Sequence, residues 1–215
     1  MNTKRHQPYF LKSGEEVPGV TTIISSILAK PQLVEWAWKQ GLNGQDIHKI
    51  VNKTGDAGTL GHQMILDFLK LQKTDTSEYS KDIIDLAENS FLSFLEWQKH
   101  KTIEPILVET SLVSERYKYG GTLDFYGKID GILTLADWKT GSGIYDSYVY
   151  QLSAYRNLLI ENGFENPERV MIVRINRDEN EKFEELVKKN TDIEFEIFKR
   201  LVEIYHLQKQ LGGEG

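Results

Sequence analysis

The 215-residue chain contains no cysteine. Disulfides, cysteine nucleophiles, thiolate zinc sites and cysteine-ligated iron–sulfur clusters are therefore all excluded. Long apolar runs are also missing. No stretch approaches the roughly 20 residues that a bilayer crossing needs, and Met1 to Tyr9 lacks the apolar core of a secretory signal. Low-complexity linkers and internal repeats are absent, and no G-x-S-x-G, H-E-x-x-H or Walker sequence occurs. Net positive charge is lacking as well, with 26 Lys and Arg against 32 Asp and Glu, a net charge of −6. A nucleic-acid-binding surface needs cations where phosphates lie. Divalent cations held by carboxylates would cancel part of this acidity locally. Small basic clusters occur at Lys4-Arg5-His6, Lys188-Lys189 and Lys199-Arg200, and such clusters are commonly solvated surface.

What is present is an ordinary globular composition, 40% hydrophobic and 27% charged, in a chain long enough to bury one core. The first half reads as helical. Val20-Thr21-Thr22 can cap a helix running to about Ala29, and Pro31 suits the opening of a second. Helical spacing recurs over about Thr59 to Gln72 and Lys81 to His100. Ile103 to Val113 and Gly121 to Lys139 alternate in twos and are rich in β-branched and aromatic residues. A helix from Asp146 to Asn162 stopped by Gly163, a strand over Val170 to Ile175, a short strand near Lys182 to Val187 and a helix from Asp192 to Leu211 complete the order. Helices, a strand meander, then helix, strand and helix make an α/β fold with a mixed sheet. The Gly-rich tail after Leu211 is expected to fray.

The informative segment is residues 121 to 141. Asp130-Gly131 is a type I′ hairpin signal. With that turn, Ile129 faces Ile132, Asp124 faces Asp137 and Thr122 faces Lys139. Alternation then sorts Leu123, Phe125, Ile129, Ile132, Ala136 and Trp138 onto one face. Thr122, Asp124, Tyr126, Leu133, Leu135, Asp137 and Lys139 fall on the other. Facing carboxylates with Cβ atoms about 4.5–5.5 Å apart repel each other unless a cation lies between them. Lys139, about 6.6–6.8 Å further along its strand than Asp137, reaches the same place from the side. Carboxylates, a divalent ion and a lysine are the parts that phosphodiester hydrolysis requires. An isolated Asp-x-Lys is commonplace on solvated hairpins, but a surface hairpin gains nothing from two facing acids.

Further residues fit around this centre. His62 shares a helical face with Ile65, Leu66 and Leu69, which points it inward. Tyr148, Gln151 and Tyr155 form one stripe on the helix after the second strand. Thr140-Gly141-Ser142-Gly143 could offer backbone N–H groups to a phosphate, although such turns are more often plain connectors. Trp36, Trp38 and Tyr117 are candidates for stacking on unpaired bases, with core packing an equal explanation.

Gly121-Thr122-Leu123-Asp124 followed by Asp137-Trp138-Lys139-Thr140 resembles the GxxD…(D/E)xK signature of PD-(D/E)XK nucleases, in the RecB-like branch. Gln151-Leu152-Ser153-Ala154-Tyr155 resembles that branch's QxxxY element, and Gly58-Thr59-Leu60-Gly61-His62 its G-x-x-x-H element. Pro18 to Ile23 and Trp36-Ala37 are similar to the N-terminal portion of phage-type and mitochondrial single-strand exonucleases. The resemblance covers roughly residues 17 to 176, in order.

It implies a restriction-endonuclease-like core with a mixed central sheet flanked by helices. One nuclease domain over 1–215 is expected, with a helical part at about 17–100 and a catalytic core at about 103–211. It also implies Mg²⁺ or Mn²⁺ held by Asp124, Asp137 and the Trp138 backbone carbonyl, with His62 as a further ligand or gate. Lys139 would be the catalytic lysine, while Gln151, Tyr155 and Thr140 would position the nucleic-acid backbone. Glu109 is the candidate for the family's first acid. DNA ends or single strands are the implied substrate, without an iron–sulfur cluster, in the cytoplasm of a bacterial or phage-infected cell. An endonuclease of the same fold, or a module that binds nucleic acid or protein without cutting, is the alternative.

Overall fold

The computed structural model describes residues 8–141, 143–175 and 183–212. The Lys4-Arg5-His6 cluster, Ser142, Lys182 and the tail at 213–215 lie outside the described residues. Two short strands, β1 (Tyr9–Phe10) and β2 (Glu16–Val17), pair antiparallel ahead of four helices. These are α1 (Val20–Ile27), α2 (Pro31–Leu42), α3 (Ile47–Leu69) and α4 (Lys81–Gln98). Strands β3 (Ile103–Ser114), β4 (Tyr119–Ile129) and β5 (Ile132–Lys139) form an antiparallel meander. Helix α5 (Asp146–Glu161) crosses over to β6 (Arg169–Arg174), which pairs parallel to β5. Strand β7 (Glu184–Lys188) closes the sheet antiparallel to β6, and α6 (Asp192–Gly212) ends the chain.

The sheet order β3-β4-β5-β6-β7 is mixed and lies between two helical layers. Helices α1, α5 and α6 cover one face with Ile23, Leu152, Leu158 and Phe198. Helices α3 and α4 cover the other with Ile65, Leu66, Phe94 and Trp97, packed on Phe125, Ile129 and Trp138. A helix, three antiparallel strands, a crossover helix and a parallel strand make the expected α/β, restriction-endonuclease-like arrangement. Among the described residues no helix is long and apolar enough to cross a membrane.

Three expectations need correction. The third helix begins at Ile47, not near Thr59; Asp46 caps it, accepting a hydrogen bond from the Lys49 N–H at 3.2 Å. Gly55, Gly58 and Gly61 weaken the local helix signal, each by up to about 1 kcal/mol relative to Ala, and tertiary packing overrides them. Gly61 is where α3 and α4 touch, since a Cβ there would lie 3.0 Å from Ser90 Cβ and 3.2 Å from the Ala87 carbonyl. The first helix is capped by Gly19 without a side-chain bond, rather than by the Val20-Thr21-Thr22 segment.

The third correction concerns the sheet faces. Leu123 packs in the α5-side core with Tyr119 and Tyr126, whereas Phe125 and Ile129 pack on the α3 and α4 side. Strict alternation would keep Leu123 with Phe125. It breaks once, at Asp124. On β3, Val108 packs on the α3 and α4 side and Leu112 on the α5 side, so alternation breaks there too. Glu109, standing across from Asp124 between the pairs Val108↔Phe125 and Thr110↔Leu123, has φ +47°. A left-handed residue inside a strand resets the pleat, and such strained positions concentrate at functional sites.

Candidate active site

The Asp130-Gly131 turn forms as expected, with φ +54° and +78°, and pairs Ile129 with Ile132. Pairing between β4 and β5 runs to Phe125↔Ala136 and stops there. Beyond that point Asp124 takes over from the backbone: its Oδ2 accepts the Trp138 N–H at 3.1 Å. The N–H and C=O of one strand residue face the same neighbour. The Trp138 carbonyl therefore faces the same opening as Asp124, while the Lys139 carbonyl accepts the Ile175 N–H on the other side at 2.8 Å.

Both acids are buried, Asp124 to 8% and Asp137 to 1% exposure. His62 Nε2 lies 2.8 Å from Asp124 Oδ2, reaching it from α3. Lys139 Nζ lies 2.7 Å from Asp137 Oδ2, and it also sits 5.0 Å above the Tyr148 ring. Among the described residues Lys139 is the one partner of Asp137 Oδ2, which is otherwise buried. Gln151 joins the parts: Nε2 donates to Asp137 Oδ1 at 3.2 Å and to the Tyr155 hydroxyl at 3.0 Å. Its Oε1 accepts from Lys139 Nζ at 3.2 Å.

Burial disfavours every charge here, and the partners decide the outcome. Burial pushes the Asp137 carboxyl up to about 6, with Lys139 opposing and Asp124 reinforcing the rise. Burial acts in the same direction on Asp124, but the His62 charge and hydrogen bond outweigh it and hold that carboxyl below its ordinary value. For His62 and Lys139 burial would lower the pKa, and the neighbouring carboxylates raise both instead.

The donor set suits a hard divalent cation. Among the described residues no three His, Asp or Glu side chains converge into a ready cage. Magnesium does not need one, because it keeps several waters and takes one or two carboxylates. Asp124, Asp137 and the Trp138 carbonyl provide two carboxylates and a backbone oxygen around one opening.

The sequence-predicted residues are largely brought together: His62, Asp124, Asp137, Trp138, Lys139, Gln151 and Tyr155 all meet at the open end of the β4–β5 hairpin. Thr140 follows directly after β5, half-buried. Glu109 stands opposite Asp124 but is ion-paired with Lys70. Of the proposed stacking residues, Tyr117 is engaged edge-on with Phe195 at 5.6 Å, while Trp38 is 64% exposed on α2. Within the described basic clusters Lys188 pairs with Glu194, Lys199 with Glu196 and Arg200 with Glu203.

One neighbouring group has no local sequence signal. The Tyr9 hydroxyl lies 2.9 Å from Thr122 Oγ1, which lies 2.8 Å from Ser111 Oγ. Tyr9 reaches this place because its ring lies against Gly120, where no Cβ would fit. Only the pairing of β1 with β2 and the docking of that hairpin on β4 reveal it.

No protein-family profile and no curated protein sequence matches the chain. Solved structures show likeness in shape. The protein SSO0001 is 18% identical with a TM-score of 0.33, over 57% of this chain and 55% of its own. An exonuclease candidate from Eubacterium rectale is 14% identical with a TM-score of 0.48, over 71% of this chain and 65% of its own. The LHK-Exo exonuclease bound to dAMP is 11% identical with a TM-score of 0.36, over 76% and 92% respectively. The chain thus spans little more than half of SSO0001 and under two thirds of the E. rectale protein. Likeness this shallow transfers no residue role.

Proposed function

We propose that this chain is a divalent-metal-dependent nuclease that hydrolyses phosphodiester bonds in DNA, acting at ends or on single strands. The observation that carries the reading is the pair of buried carboxylates, Asp124 and Asp137, at the point where β4 and β5 part, with Lys139 2.7 Å from Asp137. Buried charges are costly to desolvate even when paired, and a site that only stabilised the fold would lose nothing by replacing the whole set with apolar residues.

Asp124, Asp137 and the Trp138 carbonyl would hold Mg²⁺ or Mn²⁺, with His62 either adding a ligand or fixing Asp124 through its 2.8 Å contact. The bound ion would polarise the scissile phosphate and lower the pKa of an attacking water. Lys139 keeps its proton, since the two carboxylates raise its pKa, and presents a fixed positive charge. Its Nζ can orient that water or stabilise charge developing on the phosphoryl oxygens. Gln151 is buried and bonded to Asp137 and Lys139, and the buried Tyr155 accepts a hydrogen bond from Gln151. We assign them to positioning those groups rather than to contact with nucleic acid. Thr140, at the exit of β5, is proposed to face the phosphate backbone. Glu109 would join the site only by leaving Lys70.

The reading is tested by a degradation time course on 5′- and 3′-labelled single- and double-stranded DNA and on circular DNA, with Mg²⁺ or Mn²⁺. Loss of linear substrate with closed circles intact is expected. Cutting of closed circles would identify an endonuclease. Binding without degradation of any DNA or RNA form would identify a binding module.

A further inference from the structure

Helix α6 carries two apolar faces. Phe198, Leu201 and Val202 are buried against α1 and α5. On the outside, Ile193, Ile197, Ile204, Leu207 and Leu211 are 76%, 36%, 40%, 59% and 75% exposed. Scattered exposed apolar residues are normal; a continuous line of them is not. With Arg200 included, the outer positions are spaced four, three, four, three and four residues apart. That is the spacing of a coiled-coil seam. At 3.6 residues per turn all six fall within an arc of about 80°. The seam from Ile193 to Leu211 is about 27 Å long at 1.5 Å per residue.

The charges on the seam choose its occupant and its direction. Arg200 lies in the middle of the stripe and bonds both oxygens of Glu203 at 2.9 Å. In a parallel pair of α6 helices Arg200 would face Arg200, a like-charge contact in a desolvated seam. In an antiparallel pair centred near residue 202, Ile193 meets Leu211 and Ile197 meets Leu207. Arg200 then meets Ile204 of the second copy, beside its Glu203. Two Arg200–Glu203 pairs come together around the two-fold axis with alternating signs. The stripe is thus complementary to itself in one orientation, as an isologous interface requires.

We propose that α6 is a homodimerisation helix, pairing antiparallel with α6 of a second copy of this chain through the Ile193–Leu211 stripe. The inference is independent of the nuclease reading. Light scattering on the full chain at tens of micromolar should give a mass near twice 24.8 kDa. Ile197→Glu and Leu207→Glu should each give folded monomers with the wild-type circular dichroism spectrum, because these side chains are exposed in the single copy. Both should melt below the wild type, which the second copy stabilises by mass action. The absence of native cysteine makes the orientation directly readable. Under oxidation the double variant Ile197→Cys/Leu207→Cys should yield a covalent dimer, and Ile204→Cys alone should not. A monomeric wild type would overturn the proposal. So would a dimer that survives both Glu substitutions, or crosslinking by Ile204→Cys, because a parallel pair sets residue 204 against itself and crosslinks the double variant as well.

Discussion

The Trp138 amide and the Asp124 carboxylate meet at 3.1 Å, just past the last paired residues of β4 and β5. A side chain stands there in place of a strand partner. The bond keeps the strands apart without leaving the Trp138 N–H unsatisfied, and it aims a buried acid at the opening beside Asp137. His62 from α3 and Gln151 from α5 then approach that opening from the two helical layers.

The approach of α3 is controlled at Gly61. Gly61→Ala would gain up to about 1 kcal/mol in helix propensity. Its Cβ would press on Ser90 Cβ and the Ala87 carbonyl, the latter being backbone that cannot swing aside. Overpacking of this kind costs about 1–3 kcal/mol, so the net change expected is destabilising. Thermal or urea unfolding checks this, and a more stable variant would show that the helix contact is looser than described.

Gln151 touches Asp137, Lys139 and Tyr155 together. Removing an outer-shell partner of this kind lowers activity or metal affinity about 10–100-fold. Gln151→Ala should therefore cut kcat and weaken Mn²⁺ binding within that range, with little change in the KM for DNA. A raised KM with unchanged kcat would show that Gln151 contacts the substrate instead.

The hairpin was legible in the sequence because its turn, register and charged residues are all local to residues 121–141. Asp130-Gly131 fixed the pairing, and the pairing put Asp124 near Asp137. What local alternation could not convey is the break at Asp124, because its partner is the left-handed Glu109, with no glycine to announce it. Likewise the early start of α3 was hidden by Gly55 and Gly58, which weaken the helical signal ahead of Thr59. Tyr9 was out of reach, since it joins Thr122 across 113 residues of sequence.

The site should respond to pH through Asp137. Its carboxyl has an ordinary value of 3.8 and is pushed up to about 6 by burial in the metal-free fold. Between those pH values the folded chain holds more protons than the unfolded chain, so stability falls as pH rises. Asp137→Asn lacks this titration and should gain on the wild type across the same window, on the order of 1–3 kcal/mol. Divalent cations bind the ionised carboxylate, so Mn²⁺ affinity should drop below about pH 6, with proton release on binding near that pH. Calorimetric titration in two buffers of different ionisation enthalpy measures both. Affinity independent of pH from 5 to 7 would place the ion elsewhere.

Asp137 and Lys139 are the groups we propose to carry out metal-dependent cleavage. The most direct measurement compares degradation of end-labelled single-stranded DNA in Mn²⁺ by the wild type, Asp137→Ala and Lys139→Ala, each verified as folded. Metal-dependent loss of label is expected for the wild type, with a drop of at least about 100-fold in both variants, the scale of losing one electrostatic stabiliser. Wild-type rates in either folded variant would contradict it.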